Sequence, residues 1–175
     1  KNQRIHIHKV FKGIAQRGKC SMGWFFGFKL HLICNEKGEL LNFMITPGDV
    51  DDRKPLEYKA FVEFIHGKLV GDKGYISKNL FERLFVDGIQ LITKLKSNMK
   101  GALMSVSDRL LLRKRAIIET VNDELKNIAQ VEHSRHRCFD NFIVNLLGAI
   151  AAYCLFPKKP CINLQRTIDT QLALF

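Results

Sequence analysis

The chain has 175 residues, of which 46% are hydrophobic and 26% are charged. That length suits one domain of ordinary size, and the sustained apolar content excludes intrinsic disorder. Five cysteines without a Cys-x-x-Cys pair are too few for a disulfide scaffold, so we expect reduced thiols, mostly in the core. No apolar run reaches the ~20 residues of a membrane span, and the opening lacks the apolar stretch of a signal peptide. We therefore expect a cytoplasmic protein without a membrane partner.

The charge is strongly basic. Lys and Arg number 28 against 17 Asp and Glu, which gives a net charge of +11. Residues 1–35 contain no acid, and a second basic block over residues 94–115 is interrupted only by Asp108. Because such blocks can neutralise a phosphate backbone, nucleic acid is favoured as a partner over a basic surface that is merely solvated.

The first predicted element is a β-hairpin. In residues 24–34 every even position is apolar, whereas odd positions include Gly27, Lys29 and His31, and this period of two is typical of a strand. Residues 35–38 have turn chemistry, and residues 40–46 form the second apolar run. We expect Trp24 and the neighbouring phenylalanines to pack in a core rather than to form a base-stacking platform.

Helices and strands alternate after the hairpin. Asp51 or Asp52 can cap the first helix, Ser77 the second, and Ser105 with Asp108 resembles the capping box of a long third helix. The predicted order is helix, strand, helix, strand, helix, with bounds of about 51–65, 68–72, 77–87, 89–95 and 105–128. A last helix over about 139–156 is apolar nearly all round and is expected to be buried. One α/β domain over residues 1–156 follows, with an unplaced tail over 157–175.

Asp72 is the first residue of chemical interest. It ends a short apolar strand and has glycines on both sides in the segment 71–75. Sites in open α/β sheets form at the carboxyl ends of strands, where a short acid can hold a metal ion. An Asp that only caps the following loop is an equally good interpretation of this pattern.

Glu119 is the second such residue. Helical spacing places Arg115, Glu119, Asn122 and Lys126 on one polar stripe of the long helix. Periodicity alone favours a simple surface ion pair between Arg115 and Glu119, which contributes only ~0.3–0.5 kcal/mol. Asp123 and Glu124 are rival acids on the same helix.

Four segments in order resemble the catalytic domain of bacterial insertion-sequence transposases of the DDE class, over residues 11 to about 156. They are residues 23–31, residues 46–53, residues 71–75, and the pattern Arg-x₃-Glu-x₆-Lys formed by Arg115, Glu119 and Lys126. Many of these enzymes have a Tyr three residues before that Arg, where this chain has Leu112. Each segment alone is a weak signal, but their order over most of the chain is specific.

The resemblance implies a ribonuclease-H-like mixed sheet flanked by helices, and an enzyme that cleaves and transfers DNA strands at insertion-sequence ends. Asp72 and Glu119 would be its second and third catalytic carboxylates and would bind two Mg²⁺ ions, with Mn²⁺ as a substitute. Arg115 and Lys126 would contact transposon-end DNA. The further DNA-binding residues expected are Lys9, Lys12, Lys19, Lys73, Arg113 and Lys114, with Asp52 and Asn122 supporting the metal site.

The implied partners are transposon-end and target DNA, bound by a homo-oligomer in the nucleoid of a bacterial cytoplasm. The family's first Asp lies on a strand that precedes the basic opening, whereas the first acid here is Glu36. We therefore expect a fragment that lacks this strand, which would lie between the hairpin and the strand before Asp72, and that does not cut DNA alone. Two alternatives stay open: an inactive DNA-binding or dimerising fragment, and an unrelated ribonuclease-H-like nuclease.

Overall fold

The computed structural model describes residues 9–20, 23–94, 104–133, 136–161 and 172–174. The basic residues Lys96 and Lys100, and the predicted strand end at Leu95, lie outside these ranges. The chain forms two compact units. The first unit comprises residues 1–31, 44–51 and 123–156, and the second comprises residues 32–43, 52–122 and 157–175.

Strands and helices alternate along the chain, with both antiparallel and parallel strand pairing, so the predicted mixed α/β fold is confirmed. The strands of the described residues are β1 (Gln16–Cys20), β2 (Gly23–Asn35), β3 (Leu40–Pro47), β4 (Gly67–Gly71), β5 (Ile89–Thr93) and β6 (Leu172–Leu174). The helices are α1 (Lys59–Val62), α2 (Lys78–Val86), α3 (Val106–Lys114), α4 (Ala116–Asn127) and α5 (Phe139–Cys154). Short 3₁₀ turns cover Lys54–Glu57, Lys73–Tyr75 and Val131–His133.

In the first unit, β1 pairs antiparallel with the first part of β2. The sequence did not predict β1, because Arg17 and Lys19 interrupt any apolar pattern and pairing along β2 stabilises the strand instead. Gly18 is its buried residue. A Cβ at Gly18 would overlap the backbone of Gly48, so only glycine allows this close approach.

The core of the first unit contains an aromatic cluster. Phe28 stacks on Phe142 with ring centroids 5.4 Å apart, and Phe11 and Phe139 lie 5.7 and 5.5 Å from Phe28. These are favourable offset or tilted contacts. The expectation of a core position is wrong for Trp24, whose side chain is 45% exposed.

The burial expected for the last helix is only partly correct. In α5, Leu146, Ile150 and Tyr153 are buried, whereas Val144 and Leu147 are 68% and 46% exposed. Apolar residues of α5 therefore lie both on the side that packs in the core and on the side that is exposed to solvent. The hydrophobic pattern alone could not show which of these residues would be buried.

The second unit is built on β4. Its residues pair in parallel with β5, from Gly67 opposite Ile89 to Gly71 opposite Thr93. On its other side β4 pairs in parallel with β6, and β6 pairs antiparallel with the end of β2. Leu69 and Val70 are fully buried, as expected for a central strand.

The sequence predicted an empty strand position between the hairpin and β4, but β6 lies there. The space between β2 and β4 is occupied by residues 172–174, which the sequence left unplaced in a tail. Backbone groups of Cys34 and Val70 that would otherwise be unpaired therefore have partners. The division of the chain into a domain and a tail after residue 156 stays a prediction.

Two predicted helices are interrupted. The helix predicted over 51–65 is a 3₁₀ turn followed by α1, because Tyr58 between them has extended backbone angles. Its N-cap is Arg53, so the expected Asp51 or Asp52 cap is wrong. The long third helix is divided into α3 and α4 at Arg115.

Other helix signals are confirmed. The Ser77 hydroxyl accepts a hydrogen bond from the Leu80 N–H at 3.5 Å, and α2 ends before Gly88, which has a φ of 78°. The Ser105 hydroxyl accepts from the Asp108 N–H at 3.1 Å and begins α3. These caps depend on residues close in sequence, which is why the sequence could predict them.

The cysteines are mostly not in the core, contrary to expectation. Cys34 is buried and its burial raises the pKa of the thiol to about 12, whereas the other four cysteines are exposed. Within the described parts of the chain, no helix is both long and apolar enough to span a membrane.

Candidate functional site

Asp72 is the first residue after β4. The strand ends in the buried Gly71, and Asp72 continues with extended backbone while its side chain is 61% exposed. Its Oδ1 accepts a hydrogen bond from the Lys73 N–H at 2.7 Å and so caps the 3₁₀ turn that follows. The end of a fully buried strand thus presents a carboxylate to solvent.

The glycines around Asp72 have different surroundings. A Cβ at Gly71 would lie 3.3 Å from the Tyr75 ring, so glycine lets this ring pack against the end of the strand. A Cβ at Gly74 would meet nothing within 4 Å. The side of the loop at Gly74 is therefore open.

Glu119 lies in the first part of α4. The inner face of this segment is formed by Ile117, Ile118 and Val121, which are all buried. Their burial turns Glu119 outward, and its side chain is 66% exposed. Helical periodicity, anchored by apolar residues, therefore determines where this carboxylate lies.

Arg115 joins the two acids. Its Nη1 lies 2.9 Å from Asp72 Oδ1, and its Nη2 donates to Glu119 Oε1 at 3.2 Å. The Arg115 side chain is only 24% exposed, in contrast to the two carboxylates. One guanidinium therefore brings together acids that belong to different elements of the second unit.

The charge of this group is not balanced. One guanidinium faces two carboxylates, and among the described residues the second oxygen of each carboxylate, Asp72 Oδ2 and Glu119 Oε2, has no hydrogen-bond partner. Exposed carboxylate oxygens are the ligands that Mg²⁺ and Mn²⁺ prefer. The donor chemistry of Asp72 and Glu119 therefore fits a divalent cation whose other ligands are water.

A complete protein cage for a metal is not formed in the described ranges, where no group of three or more His, Cys, Asp or Glu side chains converges. Magnesium commonly retains several waters and takes one or two carboxylates from the protein. Asp72 and Glu119 are thus enough protein ligands to hold one magnesium ion, whose remaining ligands would be water.

The rival acids of α4 have other environments. Asp123 accepts a hydrogen bond from the Asn127 side chain at 2.6 Å. Glu124 is half-buried, and its Oε2 is buried without a partner in the described ranges. Of the three acids of this helix, it is Glu119 that pairs with the Arg115 guanidinium bound to Asp72.

A second ion pair holds α3 to β4, and the sequence did not predict it. Lys68 Nζ lies 2.7 Å from Asp108 Oδ1, and their side chains are 26% and 15% exposed. The hydrogen bond from Lys68 lowers the pKa of the Asp108 carboxyl below its ordinary value, with smaller help from Ser105. The Lys68–Asp108 pair, called the shielded pair below, is therefore suited to stabilising the fold rather than to taking part in a reaction.

The predicted DNA-binding residues lie in both units. In the second unit Lys73 and Arg113 are exposed and Lys114 is half-buried. In the first unit Lys126 pairs with Glu132 at 3.0 Å, and three exposed lysines accompany it: Lys9, Lys12 and Lys19. Their contacts with DNA stay predictions.

The two predicted supporting residues are also exposed. Asp52 follows β3 and its 47–51 turn, and Asn122 lies on α4 about one turn after Glu119. Their position keeps both accessible to solvent, and their role beside a metal stays a prediction.

Comparison with known proteins defines the class of this site. Residues 1–139 match the family described as the transposase DDE domain, and this range contains Asp72, Arg115 and Glu119. The chain therefore belongs to the transposase DDE domain family, as the sequence motifs predicted, and transposases act on DNA. No curated protein and no solved structure matches the chain.

Proposed function

We propose that this chain acts in the cleavage and joining of DNA strands at the ends of an insertion sequence, with Asp72 and Glu119 as two of the metal-binding carboxylates. The observation that carries the proposal is their convergence on the Arg115 guanidinium, at 2.9 and 3.2 Å. An acid after a buried strand and an acid on a helix meet there, and one oxygen of each has no partner among the described residues. Family membership gives this acidic pair its reaction class.

The metal would be held by Asp72 and Glu119. Divalent ions bound there, Mg²⁺ or its substitute Mn²⁺, would supply Lewis-acid activation of the attacking hydroxyl and stabilisation of the leaving oxygen. Asp52 and Asn122 are proposed to orient water around these ligands. Hard cations require oxygen ligands, and each of these four side chains offers one.

Arg115 has two roles in this proposal. Without metal, it neutralises part of the charge of Asp72 and Glu119 and keeps both side chains oriented. A guanidinium has five N–H donors in a planar fork, so Arg115 retains donors for a phosphate oxygen of DNA. Lys73, exposed beside Asp72, is placed to hold the same backbone.

The remaining basic residues would bind the phosphate backbone farther along the DNA. They are Lys9, Lys12, Lys19, Arg113, Lys114 and Lys126. Contacts of this kind are electrostatic and independent of sequence. We propose that the DNA comprises transposon ends and target, bound by a homo-oligomer in a bacterial nucleoid.

A second candidate function is an inactive DNA-binding or dimerising domain. The absence of a third converging acid in the described ranges favours it, because a two-metal site needs a carboxylate that bridges both ions. On this reading the catalytic domain, residues 1–156, binds DNA and one metal ion but does not cut DNA alone.

Metal binding and strand cleavage separate the two candidates. Mn²⁺ titration, followed by electron paramagnetic resonance, should show one bound ion that Asp72→Asn or Glu119→Gln removes. Asp123→Asn is the matched control, because Asp123 is a solvent-exposed acid on the same helix that is already paired with Asn127.

Cleavage is assayed on end-containing DNA with Mg²⁺ or Mn²⁺. Nicking and strand transfer that both variants abolish would establish the transposase reaction for this chain. Metal and DNA binding without nicking would establish the second candidate. Unchanged metal binding in both variants would contradict the assignment of Asp72 and Glu119.

A further inference from the structure

The hairpin formed by β1 and β2 presents a basic and aromatic face. Lys19 is directly opposite Trp24 in the antiparallel register, and Arg17 is opposite Phe26. Residues two positions apart on one strand share a face with their cross-strand partners. Arg17, Lys19 and Trp24 therefore lie on the same face, which we call the hairpin face.

The two cations of the hairpin face lie over the indole. The Arg17 guanidinium carbon is 4.3 Å from the centroid of the Trp24 ring, and Lys19 Nζ is 5.7 Å from it. Both distances are within the range of cation–π contacts. Even so, 45% of the Trp24 side chain stays exposed, although large aromatic residues are usually buried.

No acid balances this face. Residues 1–35 contain no Asp or Glu, and within the described part of the chain neither Arg17 nor Lys19 forms an ion pair with a carboxylate. The contrast with Arg115 is direct, because that guanidinium is already shared between Asp72 and Glu119. Among the described residues, no carboxylate therefore competes with an external anion for Arg17 and Lys19.

We propose that the hairpin face is a binding site for an unpaired nucleotide of single-stranded DNA. The base would stack on the exposed part of Trp24, while Arg17 and Lys19 bind the flanking phosphates. Aromatic stacking combined with a positively charged track is how proteins hold single strands of any sequence. Bases inside a duplex are already stacked on each other, so this face would favour unpaired ends over duplex DNA.

The inference rests on the proposed function for the presence of DNA. It adds a base-stacking role for Trp24 and a phosphate-binding role for Arg17 beside Lys19, which is already among the proposed backbone contacts. Strand cleavage creates ends, and terminal nucleotides are the ones least held by base pairing. A face that captures such a nucleotide would keep a cut end attached to the protein.

Fluorescence tests this directly, because Trp24 is the single tryptophan of the chain. The full chain is titrated with a single-stranded oligonucleotide and with a blunt duplex of the same sequence, and binding is followed separately by anisotropy of a label on the DNA. The single strand should quench the indole emission in parallel with binding. The duplex should bind with much less quenching.

Substitutions test the stacking contribution. Trp24→Leu should weaken single-strand binding about 30-fold, the middle of the range for one stacked base, and leave duplex binding nearly unchanged. Trp24→Phe should restore most of the loss. Tyr58→Leu is the matched control, since Tyr58 is an aromatic residue that is 56% exposed outside the hairpin.

The outcomes are distinguishable. Bound single-stranded DNA without quenching, or equal losses for single strand and duplex in Trp24→Leu, would overturn the inference and leave the proposed function intact. Failure of the unaltered chain to bind either DNA would overturn both. A melting temperature of Trp24→Leu equal to that of the unaltered chain, together with the Trp24→Phe rescue, excludes misfolding as the cause of a loss.

Discussion

Two charged contacts join β4 to the helices that follow it, and they differ in exposure and in balance. Lys68 and Asp108 form a one-to-one pair at 2.7 Å with side chains 26% and 15% exposed. At the other end of the strand, Arg115 is shared by Asp72 and Glu119, which are 61% and 66% exposed. The first pair is shielded and neutral, and the second group is open and carries an excess negative charge.

The two groups near β4 are therefore suited to different roles, the Lys68–Asp108 pair to stabilising the fold and the exposed acids around Arg115 to binding. Partly buried ion pairs are costly to break, because removal of one partner leaves a charge without compensation. Exposed ion pairs contribute little to stability, since water screens them. The exposed Asp72 and Glu119 therefore contribute little to stability through their pairing with Arg115, whereas Asp108 stabilises the fold through Lys68.

The largest effect should be seen in metal binding when both exposed acids are neutralised. Asp72→Asn with Glu119→Gln should weaken Mn²⁺ binding by about 100-fold, since each carboxylate is proposed to be a ligand. The free energy of unfolding should change by no more than about 0.5 kcal/mol, as for other surface changes. Chemical denaturation and Mn²⁺ titration measure the two quantities; a large loss of stability would break the contrast with the shielded pair.

Disruption of the shielded pair should give the opposite pattern. Asp108→Ala should lower the free energy of unfolding by about 2 kcal/mol, because it leaves Lys68 without its partner. Metal affinity should stay within about 2-fold of that of the unaltered chain, because neither metal ligand is touched. Ser107→Ala is the control on the same helix turn, where the exposed hydroxyl is hydrogen-bonded to Ser105 and, within the described ranges, to no other side chain. Intact stability in Asp108→Ala would show that the Lys68 contact is dispensable.

The shielded pair also predicts a dependence of stability on pH. The pKa of Asp108 is lowered in the folded chain, so the carboxylate contributes stability above its unfolded pKa of about 3.9 and loses it as the pH falls through the folded value. The difference in unfolding free energy between the unaltered chain and Lys68→Met should therefore be constant above about pH 5 and shrink as the pH falls below that value. Denaturation series at several pH values measure it, and a constant difference would contradict the role of Asp108.

The smallest effect should come from Arg115. Arg115→Ala removes the cation that competes for Asp72 Oδ1 and Glu119 Oε1, so Mn²⁺ affinity should rise by about 3-fold. Arg115→Lys keeps the charge but loses the planar fork that reaches both acids, and it should give an intermediate value. A fall in metal affinity in Arg115→Ala would mean that Arg115 chiefly positions the acids.

Sequence patterns predicted those parts of the fold that depend on neighbouring residues. The strand β2 and the caps Ser77 and Ser105 were predicted from residues within a few positions, and each was found. The strands β1 and β6 were missed because their stability comes from pairing with other strands rather than from their own apolar pattern.

The site shows the same limit. Each acid had a simple structural interpretation, a loop cap for Asp72 and an ion pair with Arg115 for Glu119, and both contacts are present. The sequence could not predict that the Arg115 guanidinium contacts both acids. This contact depends on where the junction of α3 and α4 lies relative to the end of β4. Family resemblance selected these two acids, and periodicity alone would not have done so.

The strand β6 has a consequence for how the chain folds. Leu172 pairs with Lys68, and these residues are 172 − 68 = 104 positions apart in the sequence. Closing a flexible loop of that length has an entropic cost of about 4 kcal/mol from the (3/2)RT ln n term, and contacts so distant in sequence slow folding. Until β6 arrives, β4 and the end of β2 present open edges on which a strand from another molecule can pair. Refolding should therefore be slow and should give increasing aggregation as the protein concentration rises.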